Sequence, residues 1–229
     1  MAEQLLTDDA TDTTTLRRSP LAHLEQPMRE QTVSGERGVA LREIPFLTMV
    51  GLRVVPGTAA ATAVAAAAGI PLPGGHGQVT GSPDGTALLW LGPDEFLLVG
   101  PEGVGPAELG PSGTDLAKAG SDEAGTAAEL ARALGTEPGQ AVDLSANRTT
   151  LELSGPSARA VLEKGCPMDL HPRAFAVGAA VATTLGPVQV LLWRTGEEVY
   201  RILPRASFAD YTARWLLDAM TEFAAPEVP

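Results

Sequence analysis

The run CPMDLH at 166–171 places a thiol, a carboxylate and an imidazole close together, the ingredients of an activated cysteine nucleophile. The same residues have a structural reading. Cys166 stands between Gly165 and Pro167 at a helix end, as Ile70 stands between Gly69 and Pro71, and a free cysteine commonly packs as a small apolar side chain. Two acidic pairs, Asp94/Glu95 and Glu197/Glu198, have the chemistry for general acid–base work, yet each lies between strand-like segments where charges are simply solvated. His23, His76 and His171 are far apart and none belongs to an H-x-x-x-H pair; Cys166 alone cannot build a Cys-based zinc cage. The glycine-rich GGHGQVTG at 74–81 lacks the G-x-G-x-x-G spacing that brings backbone N–H groups against a pyrophosphate, and no G-x-x-x-x-G-K-[ST] run is present. Asn147-Arg148-Thr149 has the form of a glycosylation sequon but no secretion signal accompanies it. The expectation is a chain with no catalytic, cofactor-binding or metal-binding residues of its own.

A length of 229 residues allows one large domain or two small ones. The net charge of −12 argues against nucleic acid as a partner, because that affinity rests on Lys and Arg neutralising phosphates. No apolar run reaches the roughly 20 residues of a membrane helix, so no membrane partner is expected. The cytoplasm is the expected location.

The elements that must position these residues fall into two similar series. Residues 1–38 are polar and charged and read as a flexible arm, within which RSPLAHL at 18–24 has enough apolar character to dock. Arg17, Arg18, Leu21 and Leu24 are therefore candidate contacts with a partner chain. Alternating residues at 39–55 predict strand; Thr58 caps a helix of alanines that Gly69 and Pro71 end. The stretch 101–126 reads as a mobile surface loop, and 126–135 as a short helix. Then RTTLELSG at 148–155 predicts a strand, PSARAVLEKG a helix, and VGAAVATTLG another strand. SFADYTARWLLDAMTEF at 207–223 predicts an amphipathic helix capped by Ser207, with Phe208, Tyr211, Trp215 and Met220 as its apolar stripe.

Two hairpins link the series. ALLWLGPDEFLLVGP at 87–101 and VLLWRTGEEVYRILP at 190–204 align with a constant offset that puts Trp90 on Trp193, Asp94 on Glu197 and Pro101 on Pro204. The fold class expected is α+β with an internal duplication of βαββα-like units, near 45–135 and 148–223. They form a single domain spanning 39–225, followed by a tail at 226–229. Trp90, Phe96, Trp193 and Trp215 are its expected core anchors, and Trp90 and Trp193 should be related by a pseudo-two-fold.

WLGPDEFLLV at 90–99, VDLSANRTTLELSGPSARAVLEKGCPMDLHPRAF at 142–175 and SFADYTARWLLDAM at 207–220 resemble the gamma subunit of heterotetrameric sarcosine oxidase. The resemblance runs from about residue 41 to 223. It implies a non-catalytic subunit of an enzyme that oxidises sarcosine to glycine and hydrogen peroxide, passing the one-carbon unit to tetrahydrofolate. It further implies alpha, beta and delta subunits as partners, with FAD, FMN, NAD, zinc and the tetrahydrofolate site on those other chains. The implied fold is similar to the folate-binding domain of the glycine-cleavage aminomethyltransferase. Two other functions remain open from the residues: an autonomous folate-dependent one-carbon transferase, and an adaptor that shares only the fold.

Overall fold

A computed structural model describes residues 18–101 and 125–224. Its ten strands and five helices form two five-stranded antiparallel sheets, packed face to face with helices on both outer sides. The class is α+β, as the sequence implies.

In sheet 1 the strand order is β3 (Val79–Gly81), β4 (Ala87–Gly92), β5 (Glu95–Gly100), β2 (Thr48–Val54) and β6 (Gly139–Asp143). Sheet 2 has the order β8 (Ala180–Leu185), β9 (Val188–Gly196), β10 (Val199–Pro204), β7 (Thr150–Ser154) and β1 (Ala40–Ile44). The two orders correspond strand for strand. The edge strands β6 and β1 are exchanged: β1 begins the first series but completes the second sheet, and β6 does the reverse. The chain achieves this by breaking the expected 39–55 strand at Pro45-Phe46-Leu47, where Phe46 takes a φ of 59°, uncommon for a residue with a side chain. Each unit thus has a leading strand given to the other sheet and three strands after its first helix, a richer pattern than βαββα.

Alternation divides the side chains into three apolar clusters. Sheet 1 turns Val50, Leu88, Phe96 and Leu98 toward helices α2 (Ala59–Ala68) and α3 (Thr126–Leu134). Sheet 2 turns Leu151, Leu192, Tyr200 and Ile202 toward α4 (Ala158–Glu163) and α5 (Ala209–Ala224). Between the sheets, Met49, Leu89, Leu97 and Val99 meet Ala180, Leu191, Trp193 and Leu203. A backbone bond from Ala180 N–H of β8 to Gly77 O, in the turn that leads into β3, spans 3.1 Å and links the two halves.

Local chemistry explains the helix ends. Thr58 Oγ1 accepts from Ala61 N–H at 3.2 Å, satisfying a first-turn donor of α2, and Gly69 closes the helix at φ 70°. After α4, a side chain on Gly165 would have its Cβ 2.5 Å from the Trp215 ring, so the bare glycine is what lets the α5 indole lie against this turn.

The flexible-arm expectation fails over its described part. Residues Ala22–Leu24 form a 3-10 turn that runs into α1 (Glu25–Glu30), and Leu21, Leu24 and Met28 are 0%, 4% and 2% exposed within the sheet 2 core. Their spacing puts three apolar side chains on one helical face, which is what makes a highly charged segment fold back. Val33 and Val39 then bridge to each other before β1. The expected loop at 101–126 lies almost wholly outside the described residues, as does the tail at 226–229.

Helix α5 is also rotated relative to the expected stripe. Phe208 and Tyr211 are 49% and 46% exposed, whereas Thr212, Leu216, Met220 and Phe223 are buried. Ser207 lies inside a 3-10 turn, Ala206–Phe208, ahead of the helix, so that Phe208 and not Ser207 immediately precedes α5.

Candidate functional site

The expected core anchors occupy three different environments. Phe96 is buried against the helices of sheet 1, and Trp90 is half-buried on that same face with its ring edge-on to His76 at 5.6 Å. Trp193 is buried in the seam, and Trp215 is half-buried against the sheet 2 core. Trp90 and Trp193 are therefore not equivalent. In sheet 1 Gly92 pairs Glu95 and Trp90 pairs Phe96; in sheet 2 Gly196 pairs Val199 and Arg194 pairs Tyr200. The hairpins superpose with Trp90 on Arg194 and Leu89 on Trp193, one residue away from the offset the tryptophans suggest. Because side chains alternate, that single step moves the indole from one face of the sheet to the other.

Seen in this register, the seam contains a cluster that the sequence reading missed. Glu152 of β7 accepts from Arg42 Nε at 2.8 Å, while Arg201 Nε of β10 lies 3.5 Å from its other carboxylate oxygen. Arg201 also donates to Pro83 O at 2.7 Å and lies 5.5 Å from the centre of the Trp193 ring. Glu152 and Arg201 are both buried, so the pairing is what makes their desolvation tolerable. The sequence signal was a charged residue between apolar neighbours in two strands, LEL and YRI, both aimed into a buried face. Trp193 Nε1 beside them is buried and has no hydrogen-bond partner among the described residues.

A second set lies on the same face of sheet 2 at its other end. Arg148 and Arg205 form an isolated antiparallel bridge directly beyond the paired part of β7 and β10. Arg148 Nη1 donates to Leu203 O at 3.0 Å. Burial lowers the Arg148 pKa from its ordinary value, and the nearby Arg205 charge lowers it further.

The residues first considered for chemistry do not converge. Cys166 is buried in the sheet 2 core, 3.9 Å from Thr183 Oγ1, whereas Asp169 and His171 sit on an exposed turn in which Asp169 accepts from the His171 backbone N–H. The pairs Asp94/Glu95 and Glu197/Glu198 lie at hairpin turns; Arg53 approaches the first of them at 3.5 Å. His23 bonds Asp210 at 2.7 Å, and together with Arg214 holds that exposed carboxyl below its usual range, Arg214 having the larger effect. Among the described residues no group of three or more His, Cys, Asp or Glu side chains could hold a metal ion. No helix among them is long and apolar enough to cross a membrane.

Of the candidate partner contacts, Leu21 and Leu24 are not surface residues but belong to this chain's own core. Arg18 is exposed, and Arg17 lies outside the described residues.

Residues 54–222 match the sarcosine oxidase gamma subunit family. The chain belongs to that family. It is 53% identical over 217 residues to a sarcosine oxidase subunit gamma of an Arthrobacter species, covering 95% of this chain and 96% of that one. A second relative of the same description, from Corynebacterium sp. strain U-96, is 52% identical over 221 residues, covering 96% and 98%. Among solved structures, a chain of the heterotetrameric sarcosine oxidase from Corynebacterium sp. U-96, in complex with pyrrole 2-carboxylate, superposes with a TM-score of 0.82 at 52% identity. The match covers 93% of this chain and all of that one. Aminomethyltransferase T of the Bartonella henselae glycine cleavage system superposes with a TM-score of 0.57 at 19% identity, covering 88% of this chain and 57% of that one, which shows a shared fold.

Proposed function

We propose that this chain is the architectural gamma subunit of a heterotetrameric sarcosine oxidase in the cytoplasm, and that it assembles with alpha, beta and delta subunits. The observation that carries this reading is the end-to-end match, at 52% identity, to a chain of a solved heterotetrameric sarcosine oxidase. In this reading FAD, FMN, NAD, zinc and tetrahydrofolate are held by the other subunits. The chain's own contribution is surface. It buries parts of its partners and helps enclose the space in which the one-carbon unit passes to tetrahydrofolate. The dispersal of Cys166, His171 and the acidic pairs supports a role that asks no nucleophile or general base of this chain. The two-sheet body resembles aminomethyltransferase T in fold alone, and fold alone does not supply transferase activity.

Co-expression with the other three subunits, followed by purification through a tag on this chain, tests the reading. The expected product is a four-chain complex that forms hydrogen peroxide on addition of sarcosine. Isothermal titration of the isolated chain with tetrahydrofolate should give no heat of binding. Micromolar affinity in that titration, with no complex recovered, would favour an autonomous one-carbon transferase instead.

A further inference from the structure

The register of sheet 2 places Arg148 directly opposite Arg205, both on the seam face but beyond the apolar block of Leu191, Trp193 and Leu203. Like charges directly opposite one another across an antiparallel pair are destabilising unless something neutralises them. Among the described residues neither guanidinium has a carboxylate in ion-pairing range, in contrast to Arg42 and Arg201, which share Glu152. The corresponding positions in sheet 1, extrapolated from the pairing of Thr48 with Gly100, are Leu47 and Pro101, so the fold does not require charge there. The two arginines line an open cleft of about 440 Å³, where Thr184 and Gln189 add a hydroxyl and an amide. Arg148 is held in place by its bond to Leu203 O and is half-buried, while Arg205 is exposed at the rim.

The geometry points to this cleft as an oxyanion seat that receives a carboxylate side chain of a partner subunit. Two guanidinium side chains lining one cleft match a carboxylate better than any neutral group, because each can give charge-assisted hydrogen bonds. Charge complementarity favours an acidic segment of another subunit, and the inference rests on the subunit reading above. The occupant would relieve the Arg148–Arg205 repulsion, so assembly would recover a cost that the free chain bears. A pair of this kind sets orientation and dissociation rate more than total affinity.

The test uses the co-expressed four-chain complex. Arg205→Glu reverses the rim charge at an exposed position that should leave folding intact, and Arg148→Gln removes the inner one. Arg132→Glu, on the exposed face of α3, makes the same charge change elsewhere. Immobilised through a tag on this chain, the Arg205→Glu and Arg148→Gln complexes should lose the other subunits at least tenfold faster than wild type. Their loss should also begin at lower sodium chloride, while Arg132→Glu behaves as wild type. Equal retention of Arg205→Glu and Arg132→Glu would overturn the proposal, and failure of the wild-type chain to co-purify would overturn the subunit reading instead. Inorganic phosphate provides the other arm. If it binds the assembled wild-type complex saturably and the Arg205→Glu complex does not, the cleft is open to free anions in the complex and the partner carboxylate is ruled out.

Discussion

Where sheet 1 carries Gly51 between Leu97 and Val142, sheet 2 carries Glu152 between Arg201 and Arg42, position for position. Sheet 1 closes this end of the seam with carbon: Leu144 lies so close over Gly51 that a Cβ there would come within 2.7 Å of its Cδ1. Sheet 2 closes it with three charges. One backbone pattern therefore accepts either solution, and the charged one must be complete to be tolerated. A buried pair contributes little net stability while intact, but removing one member strands the other. The far end of sheet 2 repeats the contrast with the acid missing, at Arg148 and Arg205.

The largest test of this contrast concerns what covers the two sheets outside. Sheet 1 is covered by α2 and α3, whereas sheet 2 needs α4, α5 and the 18–31 segment. Removing residues 1–31 takes Leu21, Leu24 and Met28 out of the sheet 2 core, and each such loss costs about 2–5 kcal/mol when truncated to alanine. Set against a total stability of about 5–15 kcal/mol, the truncated chain should be unfolded or aggregated at 25 °C by circular dichroism. A truncated chain that melts within a few degrees of the full one would show that the segment is dispensable.

Next in size is the charge cluster. Glu152→Ala should cost about 3–5 kcal/mol in urea unfolding, because Arg201 stays buried without its carboxylate. Glu152→Leu combined with Arg201→Leu, which fills the site with carbon as Leu97 and Leu144 do in sheet 1, should recover most of that loss. If the double variant is no more stable than Glu152→Ala alone, the equivalence of the two seam ends is wrong.

The smallest effect is expected at Trp193. Its indole N–H has no partner among the described residues, so Trp193→Phe forfeits no hydrogen bond there and leaves only a modest packing defect, below about 2 kcal/mol. A loss above that, read from thermal melting, would mean the N–H is satisfied in solution.

Much of the fold could be read from the chain because local signals agreed. The α2 cap and stop, the alternation of β7 and the two hairpins are written in adjacent residues, and the structure places them within a residue or two of their expected ends. The errors share one cause, which is that sequence does not show which face meets what. The matched tryptophans imply an offset one residue short, because residue identity carries no information on strand register. Strand β6 has no signature in the sequence because it is a largely exposed edge, GQAVD, with no apolar alternation. The Leu21, Leu24 and Met28 stripe was present in the sequence but diluted by charges. Neither Arg148–Arg205 nor the Glu152 cluster could be assembled before β7 was paired with β10, because their members lie far apart in the chain.

The exchange of edge strands bears on how this chain can be made. During synthesis β1 emerges early, yet the strand it pairs with, β7, lies about a hundred residues downstream; Arg42 and Glu152 are 110 positions apart. Such long-range pairing slows folding, because loop closure must precede any gain from contact. Sheet 1 likewise lacks its edge until β6 appears, after the whole first unit has left the ribosome. Neither half can be completed on its own, so the nascent chain carries an unpaired, strand-forming segment until its second half arrives. The nascent chain therefore exposes an open β edge while about half of its length, from β1 to β7, is synthesised.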